Sequence, residues 1–548
     1  MATATQKLAG LTLTLILALA ARPGPSRAQQ TVSSAAVRVA GEKVEAILGA
    51  PGYEHARWGL LVVDSDSGEV IYEHAPDALM RPASVTKLYS TSAAMVELGA
   101  DYRFVTPVVH TGQVDGSGVL HGDLILVAQG DLSLGGRTAP DGSLLFEDQD
   151  HSYADFSGRS TLVNADPLAG LDHLARDVAS AGVKSIDGDV LIDDRLFDPA
   201  RATGSGPRQV TPILINDNLV DILVTPGTKV GEAASVRLVP ETAFVSADIR
   251  VETTDAAQPA HVVVKPIGPR RFSVRGHVPV GSSPIVRVYE VEEPAAFARA
   301  LFIECLRRRG VDVAASPLGF NDSTRLPSRE QVSSLPKLTQ YTSPPLREYL
   351  RVILKVSQNL HASTLPLLLA AHRSERTLSD GLRIEGQVLK SLGVDIDSIS
   401  FGGGAGGDGA DLVTPRATVA LLRAMARRED FAGFEAALPI LGRDGTLAQS
   451  VAPESPVRGH VRAKTGTYVV QNGLTGAHVL TSKALAGYME TGSGRHLVFA
   501  FFLNDAPILG DVNVATDSAG RLMGRLCELF YQDEPASAEN PVVPPNPD

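Results

Sequence analysis

Ser84 and Lys87, in the run Arg81-Pro82-Ala83-Ser84-Val85-Thr86-Lys87-Leu88, stand one helical turn apart. Residues three positions apart on a helix are neighbours, so the lysine amine reaches the serine hydroxyl and a weak nucleophile acquires a base. The same spacing recurs at Ser334 and Lys337, but Pro336 separates that pair and no apolar stripe surrounds it. Ser84 is therefore the candidate nucleophile and Lys87 its candidate base.

Two further clusters carry polar chemistry. Ser357-Gln358-Asn359 lies within helical periodicity that begins near Leu346, and alone it reads as a polar cluster on a helix surface. Lys464-Thr465-Gly466-Thr467 falls in a strand pattern. Lysine and threonine beside a glycine suit a strand whose backbone comes close to a ligand and whose cation meets an anionic end.

The elements that must position these groups are legible as patterns. Residues 58–72 read strand, turn, strand, with Asp64-Ser65-Asp66-Ser67-Gly68 as turn chemistry, since no ligand series follows to make a calcium loop. Val85, Leu88, Tyr89, Met95 and Val96 form one stripe that predicts a helix to about residue 98, with Gly99 as its stop. From 105 to 290 short Val- and Leu-rich strands alternate with Gly, Asp and Pro, interrupted by one helical patch at 168–181. Helical periodicity returns at 295–309, 346–372 and 415–426, strand patterns cover 461–470 and 484–503, and a last helix is expected at about 515–531.

A chain of 548 residues exceeds one compact core, so two or more domains are expected. Residues 1–28 read as a secretory signal, with Lys7, an apolar run over 8–21 and the small-x-small site Ser26-Arg27-Ala28. The expected location is thus periplasmic or extracellular. That segment carries Lys7, Arg22 and Arg27 and no acid, so its removal takes the formal charge from −12 to −15, which argues against nucleic acid as a partner. Cys305 and Cys527 both lie in apolar helical patterns and lack metal-site spacing, and the sequence leaves open whether they pair. The acidic run Glu147-Asp148-Gln149-Asp150-His151 reads as a solvated loop in preference to a metal site, and His151 and His361 as structural or exposed.

Taken together and in this order, Ser84/Lys87, Ser357/Asn359 and Lys464/Thr465/Gly466 form the signature set of penicillin-recognising serine enzymes. The chain most resembles the exported D-alanyl-D-alanine carboxypeptidase/endopeptidases, the class C low-molecular-mass penicillin-binding proteins. The resemblance runs from about Trp58 to Asn504, through Tyr102-Arg103-Phe104, Gly188-Asp189-Val190, Asn216-Asp217-Asn218 and Asp444-Gly445-Thr446-Leu447. Ser84 and Ser357 lie 273 positions apart, far more than in compact β-lactamases, and the β-rich insertion fills that gap.

The acidic, proline-rich end, 532–548, reads from its composition as a disordered tail. The resemblance implies an α/β (α+β sandwich) fold: a β-lactamase/transpeptidase-like catalytic domain over 29–104 and 291–531, interrupted by a β-rich insertion of one or two modules at 105–290. It implies Ser84, Lys87 and Ser357 as catalytic residues, and Asn359, Lys464, Thr465 and Gly466 as substrate-binding ones. The backbone N–H groups of Ser84 and Thr467 would form the oxyanion hole. No cofactor or metal is implied; the partners are peptidoglycan stem peptides and cross-links, with β-lactam antibiotics as inhibitors. A β-lactamase or esterase of the same fold, or a catalytically weak wall-binding protein, is the alternative. One departure bears on that choice: where the family carries a Ser-Gly-Leu-Ser-Arg-like loop, this chain has a glycine-rich run over 402–411, expected to be more flexible.

Overall fold

The computed structural model describes residues 42–157, 160–508 and 510–532, so the signal segment and all but the first residue of the expected tail lie outside the described residues. Along the strand Arg57–Asp64, Leu60 and Val62 face one side and Leu61 and Val63 the other, and all four are buried. A strand apolar on both sides needs cover on both sides. It sits inside a five-stranded antiparallel sheet in the order Val461–Gln471, His478–Glu490, His496–Ile508, Arg57–Asp64, Val70–His74. On one face Leu522, Leu526 and Phe530 of the helix Val512–Gln532 pack with Leu60, Phe499 and Phe501. On the other, the helices Thr86–Leu98, Leu346–Val356, Asn359–His372 and Pro415–Ala426 close over Leu61, Ala500 and Phe502. This is the expected α/β sandwich, and the strand that carries Lys464 is its edge.

Beyond Phe104 the chain leaves this sandwich and builds a second core from short sheets, in which Leu124, Leu171, Ile222 and Val274 are buried together. That core does not stop at residue 290. The helix Pro294–Arg308 adds Phe297, Leu301 and Phe302 to it, and the strand Lys337–Thr342 pairs with Val105–His110. The expected limit at 290 therefore runs through one packed unit. Periodicity marks a helix but not the core it faces.

Three other differences have local causes. The helical stretch expected over 346–372 breaks at Ser357, whose backbone is left-handed with φ 64°. The pattern at 484–503 belongs to two long strands of a hairpin, His478–Glu490 and His496–Ile508. The helix Leu378–Ser391 escapes a reading by apolar stripe because its buried face includes Gly381 and Glu385. Burial pushes the Glu385 pKa up to about 8, so this acid packs protonated at neutral pH.

Cys305 and Cys527 are both free and buried, one in the insertion core and one in the sandwich core. Among the described residues no helix is long and apolar enough to cross a membrane.

Candidate active site

Ser84 lies in a single 3-10 turn, Ala83–Val85, directly ahead of the helix Thr86–Leu98. Ala83 takes φ 45°, uncommon for a residue with a side chain, and such strain persists only where the surroundings over-determine it. The constraint is visible on the neighbouring edge strand: a Cβ on Gly466 would stand 2.4 Å from the Pro82 carbonyl. Only glycine lets that strand approach the turn bearing Ser84.

Lys87 is completely buried, and its amine lies 2.9 Å from Ser84 Oγ. Nζ also donates to Asn359 Oδ1 at 2.6 Å and to the Ala405 carbonyl at 2.7 Å. Burial holds the Lys87 pKa well below the ordinary lysine range, the charge of Lys464 lowers it further, and Asp411 opposes both. A neutral amine has two N–H groups, which Asn359 and Ala405 occupy, so its lone pair is left facing the Ser84 hydroxyl. That is the arrangement of a base about to take a proton.

Asn359 opens the helix Asn359–His372, and the left-handed turn at Ser357 aims the Ser-x-Asn segment into the cleft. The turn is held from the insertion. The Tyr153 hydroxyl donates to the Ser357 carbonyl, and Asn359 Nδ2 donates to the Ser205 carbonyl at 3.2 Å. Lys464 is fully enclosed and donates to the Thr465 carbonyl at 2.9 Å; burial lowers its pKa to about 7. Thr465 Oγ1 donates to Thr446 Oγ1 at 2.8 Å. Ser84, Ser357, Asn359, Thr465 and Thr467 line one cleft of about 680 Å³. The remaining expected residues, Lys87, Lys464 and Gly466, stand behind its wall.

Two expectations for this region are corrected. The run 402–411 is not a slack loop: Gly403, Gly404, Ala405 and Gly406 are buried, and Asp411 accepts from the Gly402 and Asp408 N–H groups at 2.9 Å each. Its glycines serve close packing, and its backbone supplies the Ala405 carbonyl to Lys87. The acidic run is not wholly solvated either: Glu147 and Asp148 are exposed, whereas Asp150 and His151 are buried.

Those two buried residues belong to a network that neither spacing nor composition reveals. Arg137 pairs with Asp150 at 2.5 Å and with Asp217 at 2.9 Å; His151 bridges Asp217 and Asp221 at 2.6 and 2.9 Å. Burial alone would lower the His151 pKa, but Asp221 and Asp150 outweigh it and hold it well above its ordinary value. Asp217 then meets His361 Nε2 at 2.7 Å, on the helix that Asn359 opens. Both histidines thus have carboxylate partners, but the partners belong to this buried network. Asp150, His151 and Asp217 bring ligand atoms close enough for a metal ion, yet the Arg137 guanidinium already satisfies both carboxylates. Asp217 reaches these partners from the Asn216-Asp217-Asn218 motif, three successive left-handed residues at φ 51°, 55° and 55°.

A profile of the D-Ala-D-Ala carboxypeptidase 3 (S13) family matches residues 40–520. The chain is 29% identical over 475 residues to a D-alanyl-D-alanine carboxypeptidase of Actinomadura sp. (strain R39), covering 83% of this chain and 81% of that one. It is 23% identical over 469 residues to D-alanyl-D-alanine carboxypeptidase DacB of Haemophilus influenzae, covering 82% and 86%. Among solved structures, penicillin-binding protein 4 (DacB) from Haemophilus influenzae shares the fold, with a TM-score of 0.64 and 20% identity over 90% of this chain and 99% of that one. With a family profile spanning most of its length and a cleft-lining serine backed by a buried lysine, this chain belongs to the D-Ala-D-Ala carboxypeptidase 3 (S13) family of serine peptidases.

Proposed function

We propose that the chain cleaves the terminal D-Ala-D-Ala bond of peptidoglycan stem peptides through an acyl-enzyme on Ser84. The observation that carries this reading is the 2.9 Å approach of the buried Lys87 amine to Ser84 Oγ. Lys87 takes the hydroxyl proton as the new C–O bond forms. The backbone N–H groups of Ser84 and Thr467 receive the oxyanion, each contributing about 3–4 kcal/mol to the transition state. Ser357 passes the proton to the leaving amine as the C–N bond breaks, Asn359 orients the peptide, and water then hydrolyses the ester. Lys464 acts from behind Thr465 by its field, which favours the neutral form of Lys87. Gly466 gives the backbone its close approach.

A cross-linked dimer presents the same carbonyl with a larger amine as leaving group, so endopeptidase action uses the same steps. β-Lactam antibiotics acylate the same serine and inhibit. Such substrates lie outside the cytoplasm, where the N-terminal segment 1–28 would direct the chain.

The test follows D-alanine released from a pentapeptide ending in D-Ala-D-Ala. Release is expected from the unmodified protein, and Ser84→Ala should cut it by about a thousandfold or more. Ser334→Ala should leave it unchanged, because Ser334 Oγ donates to the Gln331 carbonyl at 2.8 Å and Lys337 Nζ to Gln340 Oε1 at 2.6 Å, away from each other. Undiminished release by Ser84→Ala would remove the assignment.

A further inference from the structure

A substrate that ends in a free acid needs a cation in the cleft, and the signature lysine is poorly placed to be that cation. Lys464 is 0% exposed, and its neighbour Gly466 faces the turn bearing Ser84. Side chains alternate along a strand, so Thr465 and Thr467 face the opposite side from Lys464. Another lysine stands on that side. Lys483, on the adjacent strand His478–Glu490, lies directly opposite Thr467 in register. Cross-strand partners share a face.

The Lys483 amine donates to Thr467 Oγ1 at 3.1 Å and to the Thr516 carbonyl at 3.1 Å. Lys483 lines the same cleft as Ser84, Ser357 and Thr465. An ammonium has three donors, and these two contacts leave one unspent. Asp517 is the acid that acts on it, yet among the described residues no carboxylate comes within ion-pair distance of its amine. Arg521, the other cation lining this end of the cleft, donates to Ser518 Oγ at 3.0 Å. Burial brings the Lys483 pKa down to about 8, which keeps most of the amine charged at neutral pH. A cation that is half desolvated, fixed by two neutral acceptors and turned toward a cleft is poised for a carboxylate.

We propose that Lys483 is a specificity-determining residue of this enzyme: together with Thr465 and Thr467 it receives the free C-terminal carboxylate of the peptide, and so selects acids over amides and esters. The inference rests on the peptidase reading above and names the cation that reading requires. Lys464 keeps a separate task behind the strand, as a charge beside Lys87.

The experiment compares kcat/KM for a D-Ala-D-Ala peptide as the free acid and as its C-terminal amide, with the unmodified protein, Lys483→Met and Lys483→Arg. The unmodified protein should prefer the acid by about tenfold to a hundredfold. In Lys483→Met the ratio should fall toward one, and in Lys483→Arg most of it should return. Melting temperatures and penicillin labelling of each variant report whether the fold and Ser84 survive, and Lys483→Gln, which removes the charge and keeps a polar end, carries the comparison if the methionine variant fails to fold. An acid-to-amide ratio in Lys483→Met equal to that of the unmodified protein overturns this inference and leaves the peptidase reading standing. An unmodified protein that hydrolyses neither peptide overturns both.

Discussion

In the proposed mechanism Lys87 serves as the base because of what surrounds it. The sequence shows a serine and a lysine one turn apart, but it does not show the Asn359 side chain and the Ala405 carbonyl that take the two N–H groups, since these lie 272 and 318 positions away. Burial makes a thermodynamic statement that is separable from catalysis. Burial holds the pKa of the folded amine well below that of the unfolded chain, which keeps the amine protonated up to about pH 10. Between those two pKa values the unfolded state binds the extra proton, so stability rises with pH through that window and the opposing contribution of Lys87 vanishes above it. The melting temperature of the unmodified protein should therefore climb relative to that of Lys87→Met as pH is raised from about 7 to about 10. Thermal melts of both proteins across that range give the answer, and a difference that does not change with pH would mean that the folded amine is charged.

At the scale of elements, the glycine-rich segment 402–411 is where composition and structure part most clearly. Glycines in a run suggest freedom, yet here they let the segment pass between the Ser84 turn, the helix Asn359–His372 and the insertion. Gly406 shows the cost of a side chain: its φ is +91°, and a Cβ there would stand 1.8 Å from the Ala83 carbonyl. Gly406→Ala should destabilise the fold by about 2–4 kcal/mol. It should also slow acylation of Ser84 at least tenfold, because Ala405 and its carbonyl must move. Gly409→Ala is the control, since nothing lies within 4 Å of the added carbon, and its stability should stay within about 0.5 kcal/mol. Urea unfolding and penicillin acylation rates measure both effects; a fully active, stable Gly406→Ala would show that the segment is loose after all. The strands and most helices were readable because alternation and stripes report burial of their own residues, as at Leu60 to Val63. The break at Ser357 was not, because a serine holds φ 64° only when distant groups such as Tyr153 fix it.

For the whole molecule, the insertion is part of how the cleft is built. Asp217 reaches His361, Tyr153 reaches Ser357, Ser205 reaches Asn359, and Asp148 accepts from the Gly445 N–H at 3.0 Å. No local pattern announces these contacts, because each joins residues more than 140 positions apart. A buried set of charges of this kind costs desolvation and repays it only when every member is paired, which Arg137 and the two histidines do for the carboxylates. The three signature clusters were legible, the scaffold that orients them was not, and the cation facing the cleft emerged only from the register between two strands. All of this converges on one serine. The most direct test is to incubate the protein with penicillin, digest it, and locate the adduct by mass spectrometry. A single adduct on the peptide containing Ser84, with the mass of intact penicillin added, is the predicted result; an adduct elsewhere, or none while D-alanine is still released, would contradict the account.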